Sequence, residues 1–277
     1  MPLKKSHGNM YPWVTHMHSH LGGECPHKCG YCYVQTNPHG VAARWKGKPR
    51  LIKDELEVRY GTGKTIFIEH MDDLFAVGIE DNLIYPILAH CRTYPRNTYV
   101  FQSKNPGRAS IFLSLFPSDF MMGTTIETNR IYEDTNAPES KDRYRGMLYF
   151  RKSHIKIPTF VTLEPIMDFD LDVLAGWLKE INPSFINIGA DSKRCGLPEP
   201  PRAKIQALIN ELRTSTEIKI KSNLDRVTGE TEGKRICPRC KRPLDEDEVL
   251  MSLEHRGQKT GKFCSRCLKD IRKMLKR

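Results

Sequence analysis

The chain has 277 residues, enough for one domain with a sizeable core and a small appendage but too few for two large domains. Lys and Arg outnumber Asp and Glu by 44 to 33, and the formal charge of +11 favours a polyanionic partner such as nucleic acid. No apolar run approaches the length of a bilayer-spanning helix, so we expect a cytoplasmic protein with no membrane partner.

Short β-rich runs alternate with helical stretches between residues 13 and 223, which predicts a parallel sheet built from βα units. The predicted strands lie at residues 14–20, 65–69, 98–103, 120–126, 159–163 and 185–188, with a seventh at 217–221. The predicted helices lie at residues 80–91, 109–115, 139–152, 171–181 and 202–213. Right-handed crossovers would curl such a sheet into a complete or partial barrel. We therefore predict an α/β barrel domain at residues 1–223 and a smaller module at 224–277.

Histidines alternate along the first predicted strand, so His16, His18 and His20 should share one face. Two histidines spaced in this way are typical of metal-dependent hydrolase barrels. Under that hypothesis the histidines and Asp191 would bind zinc and activate a water molecule. This reading leaves the neighbouring cysteines without a role, and we keep it as an alternative.

Three cysteines follow the first predicted strand with the spacing C-x3-C-x-Tyr-C, at Cys25, Cys29 and Cys32. A cubane iron–sulfur cluster takes one thiolate per iron, so three cysteines would leave one iron open to another ligand. A zinc site completed by His27 or a strand histidine is the alternative. We expect no export signal, and in a cytoplasmic chain nine cysteines indicate metal ligation more than disulfides. Cys91 and Cys195 stand alone and are expected to be small apolar side chains.

The cysteine triplet, with Tyr31 directly before its third member, resembles the signature of the radical S-adenosylmethionine (radical SAM) superfamily. The resemblance implies a partial (β/α)6 barrel and a 4Fe–4S cluster on Cys25, Cys29 and Cys32, with S-adenosylmethionine chelating the open iron. It also implies reductive cleavage of S-adenosylmethionine to a 5′-deoxyadenosyl radical and a flavodoxin- or ferredoxin-like electron donor. The chain resembles more particularly a radical SAM family of phages and mobile elements and, more distantly, spore photoproduct lyase.

The resemblance assigns candidate cofactor-binding residues to the loop and to the carboxyl ends of the second and third strands. Tyr31 would pack against the adenine of S-adenosylmethionine. The second strand ends in Glu69 and His70 where the superfamily commonly has Gly-Gly-Glu, and either residue could accept a hydrogen bond from the amino group. Lys104, after the third strand, would neutralise the carboxylate.

The fourth strand carries polar residues that the resemblance assigns to the ribose hydroxyls. Thr125, Glu127 and Asn129 are spaced two apart and should lie on one face of this strand. The fifth and sixth strands are followed by carboxylates, at Glu164 and Asp191 among others, which would face the substrate.

The last part of the chain contains two CxxC pairs, Cys237 with Cys240 and Cys264 with Cys267, separated by residues 241–263. This spacing predicts a single tetrahedral zinc ion, and the segment resembles a zinc ribbon. A module this small cannot build its own core, so the zinc would fold it. Its lysines and arginines suit phosphate binding, while a purely structural or protein-docking ribbon is the alternative.

These observations predict a radical SAM enzyme that modifies or repairs a nucleic-acid base. Such a base would be extruded from its stack to reach the barrel. The alternatives are modification of a peptide or a small metabolite and, as a non-enzymatic class, a zinc-dependent nucleic-acid-binding module.

Overall fold

A computed structural model describes residues 3–35, 43–228, 251–255, 258–263 and 267. The chain divides into two compact units, Met1–Leu224 and Asp225–Arg277. None of the helices in the described ranges combines the length and apolarity needed to cross a bilayer.

The first unit alternates strands and helices over most of its length. Its strands are β1 (Lys4–Lys5), β2 (His16–His18), β3 (Leu21–Gly22), β4 (Arg50–Leu51), β5 (Thr65–Ile68), β6 (Thr98–Gln102), β7 (Phe120–Thr125), β8 (Thr159–Leu163), β9 (Phe185–Ile188) and β10 (Glu217–Ile220). Its α-helices are α1 (Asp81–Arg92), α2 (Pro106–Ala109), α3 (Ser140–Ser153), α4 (Leu171–Ile181) and α5 (Arg202–Leu212). Short 3-10 helices occupy Ala43–Trp45, Lys53–Glu57, Ser110–Leu115 and Ser222–Leu224.

The main sheet has the order β1-β2-β5-β6-β7-β8-β9-β10. Within this sheet, neighbouring strands from β2 onward pair in parallel, and β1 pairs antiparallel with β2 at the edge. Strands β3 and β4 form a separate antiparallel pair. The predicted α/β fold with a parallel sheet is therefore confirmed.

Helix α4 illustrates how the sequence pattern packs the helices on the sheet. Leu174, Leu178 and Ile181 recur at three- and four-residue spacing and are fully or almost fully buried. The helix ends at Asn182, whose φ of 49° is the left-handed conformation that commonly terminates helices.

The predicted helix at 109–115 is wrong in type and start. Pro106 occupies the first turn of α2, a position where proline is favoured because its missing N–H would have no helical partner. The chain then continues as a 3-10 helix over Ser110–Leu115.

The sheet curls around an inner core. Met17 of β2 and Phe185 of β9 belong to one buried cluster with Phe67, Val100 and Phe160. The Tyr11 ring centroid lies 6.1 Å from that of Phe67 on β5 and 6.0 Å from that of Phe160 on β8. These two rings are therefore at most about 12 Å apart, whereas strands three places apart in a flat sheet lie about 14 Å apart, so the sheet curves at this face.

Residues before β2 fill the inner face of the curled sheet. Tyr11 belongs to the same buried cluster and stacks on Trp13, with ring centroids 5.1 Å apart. Trp13 in turn contacts Phe185 edge to face at 5.2 Å. The sequence predicted no packing role for this segment, and strand β2 is shorter than the predicted strand at 14–20.

The second unit contains α6 (Asp225–Thr228) and the antiparallel strands β11 (Met251–His255) and β12 (Gln258–Phe263). Cys267 is buried. The other predicted zinc ligands, Cys237, Cys240 and Cys264, lie outside the described residues, so the zinc site remains a prediction.

Candidate functional site

The three cysteines of the triplet lie on one loop that is built from consecutive turns. The backbone carbonyls of Cys25, Cys29 and Cys32 each accept a hydrogen bond from the amide three residues on, at 3.2, 2.9 and 3.0 Å. None of the three cysteines is in a disulfide bond, and Cys29 is buried while the other two are partly exposed. Each turn thus begins at a cysteine, which keeps the three sulfurs within one short, defined loop.

A segment that follows β7 fixes this cysteine loop in place. The amide of Gly30 donates to the carbonyl of Asp134 at 3.0 Å, and the amide of Asn136 donates to the carbonyl of His27 at 2.7 Å. Thr135 Oγ1 lies 3.1 Å from Cys29 Sγ. A Cβ at position 30 would lie 1.6 Å from Asp134 Oδ2, so a larger residue there would displace the Asp134 side chain.

A buried carboxylate, Asp73, links the cysteine loop to the ends of β5 and β6. Its Oδ2 lies 2.9 Å from His27 Nε2 and accepts from the Lys104 amide at 2.7 Å, while its Oδ1 accepts from Ser103 Oγ at 2.6 Å. Burial opposes ionisation, but His27 and these donors hold the pKa of Asp73 below its usual range. Sequence reasoning gave Asp73 no role.

A second buried carboxylate, Glu127, brings several of the predicted residues together. Its Oε1 accepts hydrogen bonds from Tyr31 and Lys104, and its Oε2 forms an ion pair with Arg143. Lys104 Nζ also donates to the Tyr31 hydroxyl at 2.9 Å. Burial by itself would raise the pKa of Glu127, but Arg143 and Lys104 lower it to about 2. We call Tyr31, Lys104, Glu127 and Arg143 the Glu127 cluster.

Arg143 is the member of the Glu127 cluster that the sequence did not reveal. It lies on α3 with 3% of its side chain exposed, and it also donates to the carbonyls of Pro138 and, at 3.3 Å, Thr125. In the sequence it is one of several charged residues in a helical stretch, so only its burial distinguishes it.

Glu69 and His70 are engaged with the end of β2 and with Tyr33. Glu69 has a φ of 58° and accepts hydrogen bonds from the amides of His20 and Leu21 at 2.7 and 3.2 Å. Burial raises its pKa to about 7. His70 Nδ1 lies 3.0 Å from Ser19 Oγ, and its carbonyl accepts from Tyr33. Their predicted role toward an amino group remains a prediction.

The predicted common face of Thr125, Glu127 and Asn129 is not formed, because β7 ends at Thr125. Thr125 Oγ1 accepts from Gln102 Nε2 at 2.8 Å. Asn129 instead pairs with Asp170 before α4, donating to its carboxylate at 3.0 Å and accepting from its amide at 2.7 Å. Strand periodicity could not apply once the chain left the sheet.

The histidines of the first strand do not assemble with Asp191. His18 and His20 pack against α1, where His20 Nε2 lies 2.9 Å from His90 Nδ1. His16 instead contacts Thr15 Oγ1 at 2.9 Å. Across the described ranges, no group of three or more His, Cys, Asp or Glu side chains could hold one metal ion. Neither zinc alternative near the amino terminus therefore has an assembled single-ion site.

The cysteine loop suits the chemistry of a cluster. A cubane needs its thiolates on separate irons, so three sulfurs need not converge on one ion. Burial raises the pKa of Cys25 and Cys32, and Asp72 and Asp73 add to the effect at Cys25. The raised pKa values favour the protonated thiols. Iron bound to these sulfurs would instead favour the thiolates, because a bound metal cation deprotonates its thiol ligands.

Polar side chains also collect at the carboxyl ends of β8 and β10. Glu164 accepts hydrogen bonds from Lys221 Nζ at 2.6 Å and from the side-chain amides of Asn223 and Asn9 at 2.8 Å each. A Cβ on Gly189 would lie 2.7 Å from Glu164 Oε1, so this arrangement depends on glycine after β9.

Comparison with solved structures shows a shared fold. The chain is similar to SuiB of Streptococcus suis bound to the precursor peptide SuiA, with a TM-score of 0.54 and 12% identity over 79% of this chain and 51% of SuiB. SuiB bound to S-adenosylmethionine gives a TM-score of 0.51 at 12% identity, over 77% and 52% of the two chains. This chain therefore spans about half the length of SuiB.

A mutant of spore photoproduct lyase with bound AdoMet and dinucleoside spore photoproduct gives a TM-score of 0.49 at 11% identity, over 99% of this chain and 76% of the lyase. No protein-family model matches the chain, and no curated protein matches it.

Proposed function

We propose that this protein is a radical SAM enzyme that acts on a base of a nucleic acid. The observation that carries the proposal is the cysteine loop, which carries three cysteines and is tied through Asp73 and residues 134–136 to the ends of the parallel strands. In α/β folds, ligands bind at the carboxyl ends of the strands. We interpret the curled sheet as a partial (β/α)6 barrel with its site at this edge.

In this proposal, Cys25, Cys29 and Cys32 hold a 4Fe–4S cluster whose remaining iron binds S-adenosylmethionine. When bound, the two groups supply a one-electron cleavage of the sulfonium and a carbon-centred radical. The structure of SuiB bound to S-adenosylmethionine supports the proposal only through its similar fold.

The Glu127 cluster would receive the organic cofactor. Glu127 stays ionised at neutral pH because Arg143 and Lys104 lower its pKa to about 2. With 1% of its side chain exposed, it would act on the cofactor by holding Lys104 and Tyr31 in place. The side chain of Lys104 is 15% exposed, and its ammonium would attract the carboxylate of the methionine portion. Tyr31 lies beside both side chains and would provide a flat surface for adenine.

Two features support a nucleic-acid substrate: the net positive charge of the chain and the polar side chains at the carboxyl ends of β8 and β10. A formal charge of +11 favours a polyanion. The hydrogen-bonding groups around Glu164, Lys221 and Asn223 would contact an extruded base, since extruded bases are recognised by hydrogen bonds to their edges. Because SuiB was solved with a precursor peptide, a peptide is the alternative substrate, and a small metabolite is a further one.

The test is anaerobic reconstitution with iron and sulfide, followed by reduction with dithionite and an assay for 5′-deoxyadenosine. We expect wild-type protein to cleave S-adenosylmethionine and Cys29→Ala to lose this activity, while Cys195→Ala, which removes an exposed thiol, retains it. A reconstituted, reduced wild type that leaves S-adenosylmethionine intact would contradict the proposal. Stimulation by DNA or RNA supports a nucleic-acid substrate, whereas stimulation by peptides alone favours the alternative.

A further inference from the structure

A second feature lies directly beside the cysteine loop. Strands β3 and β4 pair antiparallel, with Leu21 opposite Leu51 and Gly22 opposite Arg50. This pairing folds residues 43–51, which we call the basic loop, over residues 21–24. Cys25 is the next residue along the chain, so the basic loop borders the proposed cluster site.

Backbone contacts hold the basic loop firmly in this position. The amides of Gly23 and Glu24 donate to the carbonyls of Arg44 and Gly47, at 2.8 Å each. Gly23 has a φ of 103°, and a Cβ there would lie 2.3 Å from the carbonyl oxygen of Lys48. The approach therefore requires glycine, and the place of the loop beside Cys25 is set by the fold.

Most of the positive charge of the basic loop is not neutralised by any described acidic residue. From residue 44 to 50 the sequence has four cations and no acid. Arg44 is paired with Glu55, but Lys46, Lys48 and Arg50 are exposed and form no ion pair with any acidic side chain in the described ranges. Arg50 also donates to the carbonyls of Lys46 and Arg44, at 2.9 and 3.2 Å, so it shapes the loop as well.

We propose that the basic loop binds the phosphodiester backbone of a nucleic acid and so positions the strand across the cysteine loop. The assignment of the substrate class rests on the proposed function. Exposed lysines without a fixed partner suit phosphate, which they bind as mobile point charges without reading sequence. A lipid surface fits less well, because interfacial binding needs apolar side chains and none of the large exposed hydrophobic residues in the described ranges lies in this loop.

The test measures the salt dependence of nucleic-acid binding by the full-length chain. The variant is Lys46→Ala combined with Lys48→Ala. The control is Lys141→Ala combined with Lys156→Ala, which removes the same charge from exposed lysines at α3 and just beyond it. Binding is followed by fluorescence anisotropy with labelled single-stranded DNA, duplex DNA and single-stranded RNA, which shows which kind of nucleic acid the loop binds.

We expect the loop variant to bind more weakly and to lower the slope of log K against log salt. Each phosphate contact contributes about 0.7 to this slope for a single strand and about 0.9 for a duplex, so loss of two contacts lowers it by about 1.4 to 1.8. The control variant should keep the wild-type slope.

Three results would overturn the inference: an unchanged slope in the loop variant, an equal loss in the control, or displacement of labelled DNA by polyglutamate as effective as by unlabelled DNA. The last of these would point to an acidic protein partner. Binding is measured without S-adenosylmethionine, so the two proposals can fail separately. If the chain binds nucleic acid through these lysines but does not cleave S-adenosylmethionine, the inference stands and only the proposed function is contradicted.

Discussion

At the scale of single residues, Glu127 determines the charge balance of the candidate site. Its carboxylate is 1% exposed and faces two cations, Arg143 and Lys104, so removing its charge would leave both beside a neutral partner. Unpaired buried charge is among the largest single-residue costs in a folded protein.

We expect Glu127→Gln to lower the free energy of unfolding at pH 7 by about 3–5 kcal/mol, measured by urea denaturation. Glu180→Gln, which affects an exposed ion pair with Lys152, should cost less than about 1 kcal/mol.

The pH dependence of this cost has a definite sign. The folded-state pKa of Glu127, about 2, is below its ordinary 4.5, so its contribution is present above pH 4.5 and is lost as pH falls toward 2. The difference between wild type and Glu127→Gln should therefore shrink over this interval. A difference that stays constant would show that the carboxylate is not stabilised by its cations.

The residues of the site were predictable to the extent that they follow a strand. Lys104 and Glu127 follow the parallel strands β6 and β7, and Tyr31 lies in the cysteine loop that comes after β2 of the same sheet. The structure brings the three side chains together. Arg143 lies on a helix and reaches Glu127 by its side chain, and Asp73 acts through partners 30 and 46 residues away. No local pattern encodes such contacts.

At the scale of elements, the packing of α1 against β2 buries a group of histidines. Burial lowers the pKa of His18 to about 2, of His20 to about 3 and of His90 to about 4. Each is below the ordinary value of 6.5, so the unfolded chain binds protons that the folded chain does not. Stability should therefore fall as the pH drops from 6.5 toward 4.

We expect His90→Gln to make this fall shallower, by up to about 1.4 kcal/mol per pH unit, in urea denaturation followed by circular dichroism. Glu69 acts in the opposite direction, because its raised pKa of about 7 removes stability as the pH rises from 4.5. Comparing variant with wild type at each pH isolates the histidine contribution. Parallel curves for the two proteins would refute the prediction.

Most elements were predictable because their periodicity is local. The predicted boundaries of α4, β8 and β9 agree with the structure, and those of α1 and α3 differ by one residue at each end. Strands β1, β3 and β4 have two residues each, too few for any alternation to be recognised. Their pairing depends on partners elsewhere in the chain.

At the scale of the whole molecule, the division after Leu224 separates two sets of cysteines. The triplet belongs to the first unit, and the two CxxC pairs belong to the second. If the pairs bind zinc and the triplet binds iron, the two metals should be lost independently.

We expect the purified protein to contain one zinc per chain and Cys240→Ala to lose it, because a small module depends on its ion to fold. Metal analysis after anaerobic reconstitution should show unchanged iron, and 5′-deoxyadenosine formation without nucleic acid should persist. Limited proteolysis should begin in the second unit. Full zinc content in Cys240→Ala would exclude Cys240 as a ligand.

The segment before β2 can complete its native contacts only late in the synthesis of the chain. Lys221 donates to the carbonyl of Asn9 across 212 positions of sequence, and Tyr11 packs on Phe160. A ribosome that adds about 5–20 residues per second needs about 10–40 s to make the intervening chain. During that interval the contact of Asn9 with Lys221 cannot form, so the segment before β2 has its complete set of native neighbours only after residue 221 has been made.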